Sequence, residues 1–350
     1  MKKAWILLLI ACLALGAVAC GSGSGEDNGT VRVYSYGDYI DPAVVDAFEE
    51  ATGITVILDT YDTAEELYPV LANHSVNYDV ICTSDYMVER LMNEDLLAEI
   101  DYANVPNVEN LDPIYLENTA SFDPDHRHAV PHTWGTLGIL YNTKNIPEGS
   151  ITSWNDLWKK EYSGQIVMPD SMRDTMAIAL KAKGYSLNTM DEAQLAEASD
   201  YLIEQKPLVY KNANDSARDM LIGESADIGV VWSGEVLYSQ EENPDLAFVV
   251  PVEGSEMFTD LWAIPADAEN KANGEAWINF MLDQATALTN FEYLTYTIPN
   301  VSVQEAVADD PEKQAILFPE ASLLSNCEVL RSLGAEGDDL YSKYWKAFKS

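Results

Sequence analysis

Short apolar runs alternate with amphipathic segments through the first third of the chain. The apolar runs predict strands, and the segments after them, with apolar residues three and four positions apart, predict helices. The strands are predicted at 31–36, 54–60 and 78–83, and the helices at 42–52, 63–73 and 85–95. The first helix has clear ends, because Asp41-Pro42 suits a helix start and Gly53 a helix stop. This alternation predicts a mostly parallel sheet with helices on both faces.

The alternation resumes after a polar stretch and continues to the end of the chain. Extended chain is predicted at 129–141, and Ser153 with Asp156 fits a capping box for a helix through Trp158. The other strands are predicted at 165–168, 207–210, 227–232, 246–250 and 258–264, and the other helices at 172–183, 191–205, 272–283, 285–294 and 338–348. The chain is therefore predicted to be an α/β protein of two lobes. Because no linker separates the lobes, we expect the chain to cross between them more than once.

The charge balance is strongly acidic. Acidic residues outnumber basic residues by 58 to 20, which gives a formal net charge of −38. Nucleic acid is excluded as the main partner, because its phosphates must be met by lysine and arginine. A basic face for docking on anionic lipid is disfavoured for the same reason. Charge alone leaves two interpretations open, accumulation of small cations at the surface and simple solubility.

The N-terminus has the pattern of a secretory signal. Two lysines precede an uncharged run at 5–19, which is shorter than the ~20 residues that a membrane-spanning helix needs. Cys20 and a Gly/Ser-rich segment follow, an arrangement that resembles a bacterial lipoprotein signal. The resemblance implies a signal peptide at 1–19, lipidation of Cys20 and a tether at 20–29. We expect an exported protein anchored by lipid to the cell membrane and facing the periplasm or exterior; the alternative is ordinary cleavage after Ala19, with Cys20 a free thiol.

The chain lacks the common sequence motifs of catalysis and cofactor binding. It has no G-x-S-x-G, Walker, G-x-G-x-x-G or H-E-x-x-H motif. His126 and His128 flank Arg127, and a cation between two candidate ligands disfavours a zinc site. We therefore expect no catalytic residue, no cofactor and no metal. Cys82 and Cys327 are expected to be separate thiols, because no closely spaced set of cysteines indicates a disulfide framework.

Aromatic residues and carboxylates recur together where predicted strands end. These ends are the segments 34–39, 84–86, 170–174, 232–234 and 257–260. In an open α/β sheet, ligands gather beyond the carboxyl ends of the strands, so these segments should share one cleft. Carboxylates bind alkylammonium groups by charge-assisted hydrogen bonds, and aromatic faces attract cations by about 0.5–2 kcal/mol each. The pattern favours a long, flexible cation with two or three charges and disfavours an anion.

Most of these residues also have a purely structural interpretation. Ser171 and Asp174 have the spacing of a capping box, and Ser84 suits a helix N-cap. Tyr36 and Tyr39 could instead pack in a core, and Trp232 could be buried beneath the next helix. Asp260 is the least easily explained in this way, because an acid beside an apolar run should be partly desolvated and should require a cation.

Several segments along residues 30–350 stand in a specific order and spacing. They are VYSYGDYID (33–41), YDVICTSDYMVERL (78–91), HTWGTLGILYNT (132–143), TSWNDLW (152–158), VMPDSMRD (167–174), IGVVWSGE (228–235), FTDLWAIPADAENK (258–271) and TYTIPN (295–300). Together they resemble the spermidine/putrescine-binding proteins of bacterial ABC importers. The resemblance implies a type II periplasmic-binding-protein fold, in which two lobes are hinged around one polyamine. One lobe would contain 30–138 and 259–306, and the other 139–258 and 307–350.

The resemblance also implies roles for particular residues. An aromatic box falls on Tyr36, Tyr39, Tyr86, Trp232, Phe258 and Tyr296. Ser84 and Asp85 fall on the loop that meets one amine end. Asp260 matches the acid that grips the polyamine near its middle, and Asp174 matches an acid for a terminal amine. Ser171 stands where spermidine-specific members have a second acid, which leaves the preference between spermidine and putrescine open.

The function predicted from these patterns is that of a membrane-tethered receptor. It would capture a polyamine outside the cell and deliver it to an ABC permease in the cytoplasmic membrane. We expect a monomer without enzymatic activity. Two alternatives stay open: the same fold with another cationic ligand, such as an amino acid derivative or a thiamine-like compound, and an exported glycoside hydrolase with Asp174 and Asp260 as its carboxylate pair.

Overall fold

The computed structural model describes residues 28–350. The predicted signal peptide at 1–19 and the lipidation site at Cys20 lie outside the described residues, as does most of the tether at 20–29. None of the helices in the described range has the length and apolarity that a bilayer crossing requires. The strands in this range are β1 Thr30–Tyr36, β2 Thr55–Tyr61, β3 Val80–Ser84, β4 Leu97–Ala98, β5 Ala129–Asn142, β6 Ile166–Met168, β7 Val209–Asn212, β8 Ile228–Trp232, β9 Leu246–Val249, β10 Glu256–Pro265 and β11 Glu328–Val329.

The α-helices vary in length from one turn to more than four. They are α1 Pro42–Thr52, α2 Ala64–Ala72, α3 Asp85–Asn93, α4 Pro113–Thr119, α5 Met172–Ala182, α6 Glu192–Gln205, α7 Ser216–Ile222, α8 Gly234–Glu242, α9 Lys271–Met281, α10 Gln284–Leu294, α11 Val301–Val307, α12 Pro311–Leu317, α13 Ala321–Leu324 and α14 Gly334–Lys349. Short 3-10 helices occupy Tyr102–Asn104, Pro106–Asn110, Trp154–Trp158, Lys160–Tyr162 and Lys206–Leu208.

The strands form a mixed sheet. Their order is β2-β1-β3-β10-β5-β8-β6-β7, with β4 and β11 beside β10 and β9 beside β5. The outer groups are parallel, β1 with β2 and β3, and β6 with β7 and β8. The central pairs are antiparallel, β10 with β3 and β5, and β5 with β8. The predicted α/β class is confirmed, but the sheet is less parallel than expected, because its two longest strands, β5 and β10, are antiparallel to the strands on either side of them in this order.

A single strand, β5, connects two halves of the sheet. Its residues up to Thr136 pair with β10, and those from Leu137 onward pair with β8 and β9. We call β1, β2, β3 and β10 with the helices that cover them the first half, and β6 to β9 with theirs the second half. The chain passes between the halves along a continuous strand, which explains why the sequence shows no linker.

Hydrophobic clusters cover both faces of each half. In the first half, Cys82 of β3 enters one cluster while its neighbour Ile81 enters another. In the second half, the neighbouring residues Ile139 and Leu140 of β5 likewise enter two different clusters. Because successive strand residues point to opposite faces, each half is a layer of strands between two apolar layers. Cys82 is a buried free thiol and Cys327 a half-buried one, so the two are separate, as predicted.

Local signals place several helix ends correctly. The Asp41 side chain accepts a hydrogen bond from a backbone N–H of the first turn of α1, and Gly53 ends that helix with a φ of 70°. The capping box of Ser153 and Asp156 is present, although it opens the 3-10 helix Trp154–Trp158 rather than an α-helix.

Several short helices are not predicted by the sequence pattern. They are α4, α7, α8, α11, α12 and α13, none longer than nine residues. A helix of two turns shows too few periodic positions to be recognised, and its stability comes from packing rather than from its own sequence. The last helix is longer than predicted, since α14 begins at Gly334.

Candidate ligand-binding site

A cavity of about 290 Å³ lies where the two halves meet. Strand ends and the first turns of the helices after them line it, as the topology of an α/β sheet requires. Nine of the ten residues predicted to bind ligand are among the lining residues: Tyr36, Tyr39, Ser84, Tyr86, Asp174, Trp232, Phe258, Asp260 and Tyr296. The fold therefore brings together side chains that are up to 260 positions apart in the chain.

Asp260 is a buried carboxylate that is surrounded by hydroxyl groups. It is only 4% exposed. It accepts hydrogen bonds from the Tyr39 hydroxyl, from Ser84 Oγ at 2.8 Å and from Thr133 Oγ1 at 3.4 Å. Burial raises the pKa of Asp260 to about 6, while the three hydroxyl groups act to lower it. The donors fix the orientation of the carboxylate, and none of them supplies a positive charge.

Aromatic rings form the walls around this carboxylate. The Tyr39 ring centroid lies 5.4 Å from those of Tyr36 and Tyr296, edge to face in both pairs. The Phe258 ring lies 6.4 Å from that of Tyr296. Three of these rings, Tyr39, Phe258 and Tyr296, also belong to a hydrophobic cluster of the first half. The core interpretation is thus correct for Tyr39. Packing in the core is compatible with a role in the cavity, because one edge of a ring packs while another edge lines the space. Trp232 is half-buried.

Tyr296 is held in place by the start of α8. Its hydroxyl donates to Glu235 Oε1 at 2.9 Å, and Thr295 Oγ1 donates to the Gly234 carbonyl at 2.7 Å. A Cβ atom at Gly234 would lie 2.1 Å from the Tyr296 ring, so the ring can occupy this position only beside glycine. The Trp232-Ser233-Gly234 segment thus contributes both a lining ring and the space for another.

The prediction that Ser84 is a helix N-cap residue is confirmed, but the capping box of Ser171 and Asp174 is not formed. Ser84 and Ser171 stand at the N-caps of α3 and α5, but neither side chain makes a capping hydrogen bond. Ser84 instead donates to Asp260 and lies 2.8 Å from the Tyr36 hydroxyl. The capping-box alternative for Asp174 is therefore wrong, and both Ser171 and Asp174 line the cavity.

Asp85 is the one predicted site residue that the structure does not bring to the cavity wall. Its carboxylate accepts hydrogen bonds from the backbone N–H of Tyr86 at 2.7 Å and of Thr259 at 3.1 Å. Burial raises its pKa well above the ordinary value. In this position Asp85 ties the start of α3 to β10, and so it supports the lining residues on either side.

Sequence reasoning missed several acids of the cavity. Glu65 follows the second strand, the one strand end of the first half that the sequence analysis leaves aside. Glu235 and Glu256 each lie one position outside a segment that it includes. All three line the cavity. Extending two of the segments by one residue would have found Glu235 and Glu256, and including the end of the second strand would have found Glu65.

The cavity also contains a basic residue, Arg218. Its guanidinium forms an ion pair with Glu235 at 2.8 Å and contacts Asp219 at 3.3 Å. Burial raises the pKa of Glu235, while Arg218 acts to lower it. Glu235 is therefore already neutralised, unlike Asp260.

The electrostatic balance of the cavity is strongly negative. Among the described residues its wall contains eight carboxylic acids and one basic residue: Asp38, Asp62, Glu65, Asp174, Asp215, Glu235, Glu256 and Asp260, with Arg218. Nevertheless, no three His, Cys, Asp or Glu side chains in residues 28–350 converge closely enough to hold a metal ion. The wall suits an organic cation whose charges are spread along its length.

Comparison with known proteins identifies the family. Residues 43–315 match the family of bacterial extracellular solute-binding proteins. The chain belongs to this family. The solute-binding protein is 32% identical to the spermidine/putrescine-binding periplasmic protein of Escherichia coli, over 97% of this chain and 97% of that protein.

Solved structures agree with this assignment. A spermidine/putrescine ABC transporter protein from Listeria monocytogenes superposes with a TM-score of 0.87 at 34% identity, covering 91% of this chain and 98% of that one. The spermidine/putrescine ABC transporter substrate-binding protein of Streptococcus pneumoniae gives a TM-score of 0.76 at 34% identity, covering 92% and 98%. The family resemblance in the sequence segments and the periplasmic-binding-protein-like fold are both confirmed.

Proposed function

We propose that this solute-binding protein captures a polyamine, spermidine or putrescine, outside the cell and delivers it to an ABC permease in the membrane. The observation that carries the proposal is Asp260, a buried carboxylate with hydroxyl partners only, in an aromatic cavity with a large excess of acids. The names of the relatives support the same class of ligand.

The geometry suggests how such a ligand would be held. A protonated nitrogen approaching Asp260 forms a charge-assisted hydrogen bond in a site of low polarity, where such bonds are strong. The methylene groups on either side lie against Tyr39, Phe258 and Tyr296, and each buried methylene contributes about 0.8 kcal/mol. An anion is repelled by the surrounding carboxylates, and a neutral chain leaves Asp260 buried without a counter-charge.

Capture by closure of two lobes is part of the proposal. One lobe contains 30–138 and 259–306, and the other 139–258 and 307–350. The change of partner of β5 between Thr136 and Leu137 supports a boundary at this point. Because both halves line the cavity, a ligand that contacts both stabilises their approach.

The chain is proposed to work at the membrane surface as a lipid-anchored monomer. Lipidation of Cys20 would hold it there, and the tether at 20–29 would allow the folded part to reach the permease. In a bacterial host, a Cys20→Ser variant should move from the membrane fraction to the soluble fraction, and retention on the membrane would contradict the anchor.

Isothermal titration calorimetry tests the ligand class directly. We expect spermidine and putrescine to bind, and 1,4-butanediol, the uncharged analogue of putrescine, to give no heat of binding. Thiamine and an amino acid amide, added as competitors, test the alternative cationic ligands. Binding of butanediol, or no binding of either polyamine, would contradict the proposal. Mass spectrometry of the ligand after incubation should show it unchanged, as expected of a receptor rather than a hydrolase.

A further inference from the structure

Arg173, the second residue of α5, is a buried cation that has no part in the binding scheme above. It is only 3% exposed, and it is not among the residues that line the ligand cavity. Its guanidinium donates to the Arg331 carbonyl at 3.2 Å and to Asn188 Oδ1 at 3.2 Å, both neutral oxygen atoms. Its Nε atom is enclosed without a hydrogen-bond partner in residues 28–350. Burying a charge in this way is costly, which indicates a role beyond the stability of α5.

The guanidinium of Arg173 contacts one tyrosine ring from each half. Its central carbon lies 4.8 Å from the ring centroid of Tyr341 and 5.3 Å from that of Tyr86, close enough for a ring to attract a cation. Tyr341 belongs to α14 and to a hydrophobic cluster of the second half, and its hydroxyl donates to the Leu187 carbonyl at 2.8 Å. Tyr86 belongs to α3 and lines the ligand cavity. Arg173 is thus fixed in the second half and reaches the first half at a cavity residue.

Tyr86 itself packs against both halves. Its ring lies against the hydrophobic cluster around β3 and α3, and also against a small cluster that includes Ala177 of α5. Its hydroxyl donates to Glu65 Oε1 at 3.1 Å, within the first half. Tyr86 therefore belongs to the cavity wall and to the contact between the halves at the same time.

A second connection between Arg173 and α3 runs through Arg331. Asn188 Oδ1, which accepts from Arg173, also accepts from the Arg331 N–H at 2.8 Å. The backbone of Arg331 is therefore held on both its N–H and its carbonyl, while its side chain donates to Glu89 at 2.9 and 2.6 Å. Glu89 follows Tyr86 by three positions in α3, so the two side chains lie on the same face of that helix. Arg173 thus supports α3 at two neighbouring points.

The contact between the halves is loosely packed in this region. A second cavity of about 230 Å³ lies here, and Tyr86, Arg173, Ser332 and Asp338 are among the residues that line it. Side chains that line a cavity have fewer atoms to contact than those of a close-packed core. The halves therefore meet here through a limited number of contacts, and the loss of one should be measurable.

We propose that Arg173 is a positioning residue for ligand retention, which holds the Tyr86 ring in the cavity wall while a polyamine is enclosed. Through Arg331 it also directs a second guanidinium to Glu89, one turn further along α3. The inference rests on the proposed function, because it concerns the closure of the halves around the ligand. Contacts that form only when the halves come together should slow dissociation and leave association nearly unchanged.

Stopped-flow tryptophan fluorescence with putrescine and spermidine measures both rate constants in the full chain. In Arg173→Gln, dissociation should become about five- to thirtyfold faster, the effect of losing a desolvated contact between a cation and a ring. Association should stay close to the wild-type rate. Arg32→Gln is the matched control, because Arg32 also faces a tyrosine ring, that of Tyr78 at 5.7 Å, but inside the first half. It should leave both rate constants as in the wild type.

A double-mutant cycle separates this role from a general contribution to stability. Tyr86→Phe keeps the ring and Tyr86→Leu removes it, so Arg173→Gln should speed dissociation fully in the first background and much less in the second. In the melting temperatures of the empty proteins, the effects of Arg173→Gln and Tyr86→Leu should simply add, because the halves are then apart. Asn188→Ala, which leaves the cavity wall intact, is the second variant if Arg173→Gln does not fold, and it should also speed dissociation.

The outcomes distinguish the inference from the proposed function. If the wild type binds a polyamine but Arg173→Gln and Asn188→Ala release it at the wild-type rate, the inference is wrong while the proposed function stands. The same conclusion follows if Arg173→Gln has equal effects in Tyr86→Phe and Tyr86→Leu, or if the coupling between the two positions is as large in the empty protein. If the wild type binds neither polyamine, the proposed function itself fails.

Discussion

At the scale of single residues, Asp260 shows how a binding group is maintained at a cost to the empty protein. Its pKa is raised by burial to about 6. A carboxyl group whose pKa is raised in the folded state stabilises the folded protein at low pH. This stabilisation is lost as the pH rises through the folded-state pKa. Above pH 6 the empty protein therefore contains a buried charge, which only a cation can balance. The same burial makes the bond to an ammonium strong when the ligand is present.

Asp260→Asn should separate these two effects. At pH 8 the empty variant should melt at a higher temperature than the wild type, because the buried charge is gone while an amide oxygen can still accept from the hydroxyl groups. Its polyamine affinity should fall by about 2–5 kcal/mol, the range for breaking a desolvated charge pair. Differential scanning fluorimetry and calorimetry measure the two quantities. Asp200→Asn, an exposed position on α6, is the control, and equal affinity of Asp260→Asn and wild type would refute the assignment.

His132 has the opposite influence on stability. It is buried beside Tyr39 and Trp262, with ring centroids 5.7 and 4.7 Å away, and burial lowers its pKa to about 3. Below pH 6.5 the unfolded chain takes up a proton that the folded chain does not, so stability falls by about 1.4 kcal/mol per pH unit. Urea unfolding at pH 7.5 and 5 should show this loss in the wild type and a smaller one in His132→Asn. Exposed His74 provides the control His74→Asn, and the same pH dependence in both variants would contradict the prediction.

At the scale of elements, α3 makes a polar contact with the segment that leads into α14. Glu89 of α3 accepts hydrogen bonds from Arg331 at 2.9 and 2.6 Å and from the Ser332 N–H at 2.8 Å. The next residue of α3, Arg90, pairs with Asp338 of α14 at 2.7 Å. Since α3 follows a strand of the first half and α14 packs on α5 and α6, these bonds join the two halves beside the cavity.

Removal of this contact should weaken ligand retention. In Arg331→Gln we expect polyamine dissociation to become faster and affinity to fall by about 1 kcal/mol, a modest loss because the guanidinium is partly exposed to solvent. Stopped-flow tryptophan fluorescence measures the dissociation rate. Arg127→Gln removes an ion pair with Glu99 inside the first half, and it should leave the rate unchanged. Equal effects of the two variants would show that the contact between the halves has no special role.

The elements also show how far the sequence can predict the structure. α1 is predicted closely, because Asp41 and Gly53 are local signals whose effect needs no partner. The short α7 and α8, which carry Arg218 and Glu235, are not predicted, since their stability depends on packing. β10 extends two residues before its predicted start, because Glu256 and Met257 pair with β11. Nine of the ten predicted site residues meet at the cavity, whereas Glu256 lies one position before the predicted segment 257–260 and was left out of it.

At the scale of the whole molecule, the net charge of −38 means that a polyamine can stabilise the protein in two different ways. A multivalent cation can bind in the cavity, or it can accumulate around an acidic surface. The two differ in salt dependence, because exposed charges are screened over about 10 Å at 0.1 M salt while enclosed ones are screened much less.

A thermal shift series can distinguish them. At a spermidine concentration a hundred times the dissociation constant, ligand binding stabilises the folded state by about 2.7 kcal/mol, which corresponds to roughly 5 °C in melting temperature. Most of this shift should persist in 0.2 M NaCl and should be greatly reduced in Asp260→Asn. Magnesium chloride at matched ionic strength is the control and should give a much smaller shift. An equal shift with magnesium, or one that disappears with salt, would indicate surface accumulation.

The change of partner in the middle of β5 restricts how proteins of this kind can be recombined. A fragment that ends at residue 138 lacks β10, so β3 and the first part of β5 would both present bare edges, which invite aggregation. The first half therefore cannot be cut out as one continuous segment and grafted onto a relative. Replacing individual side chains of the cavity within an intact chain avoids these bare edges, both in evolution and in the engineering of a biosensor.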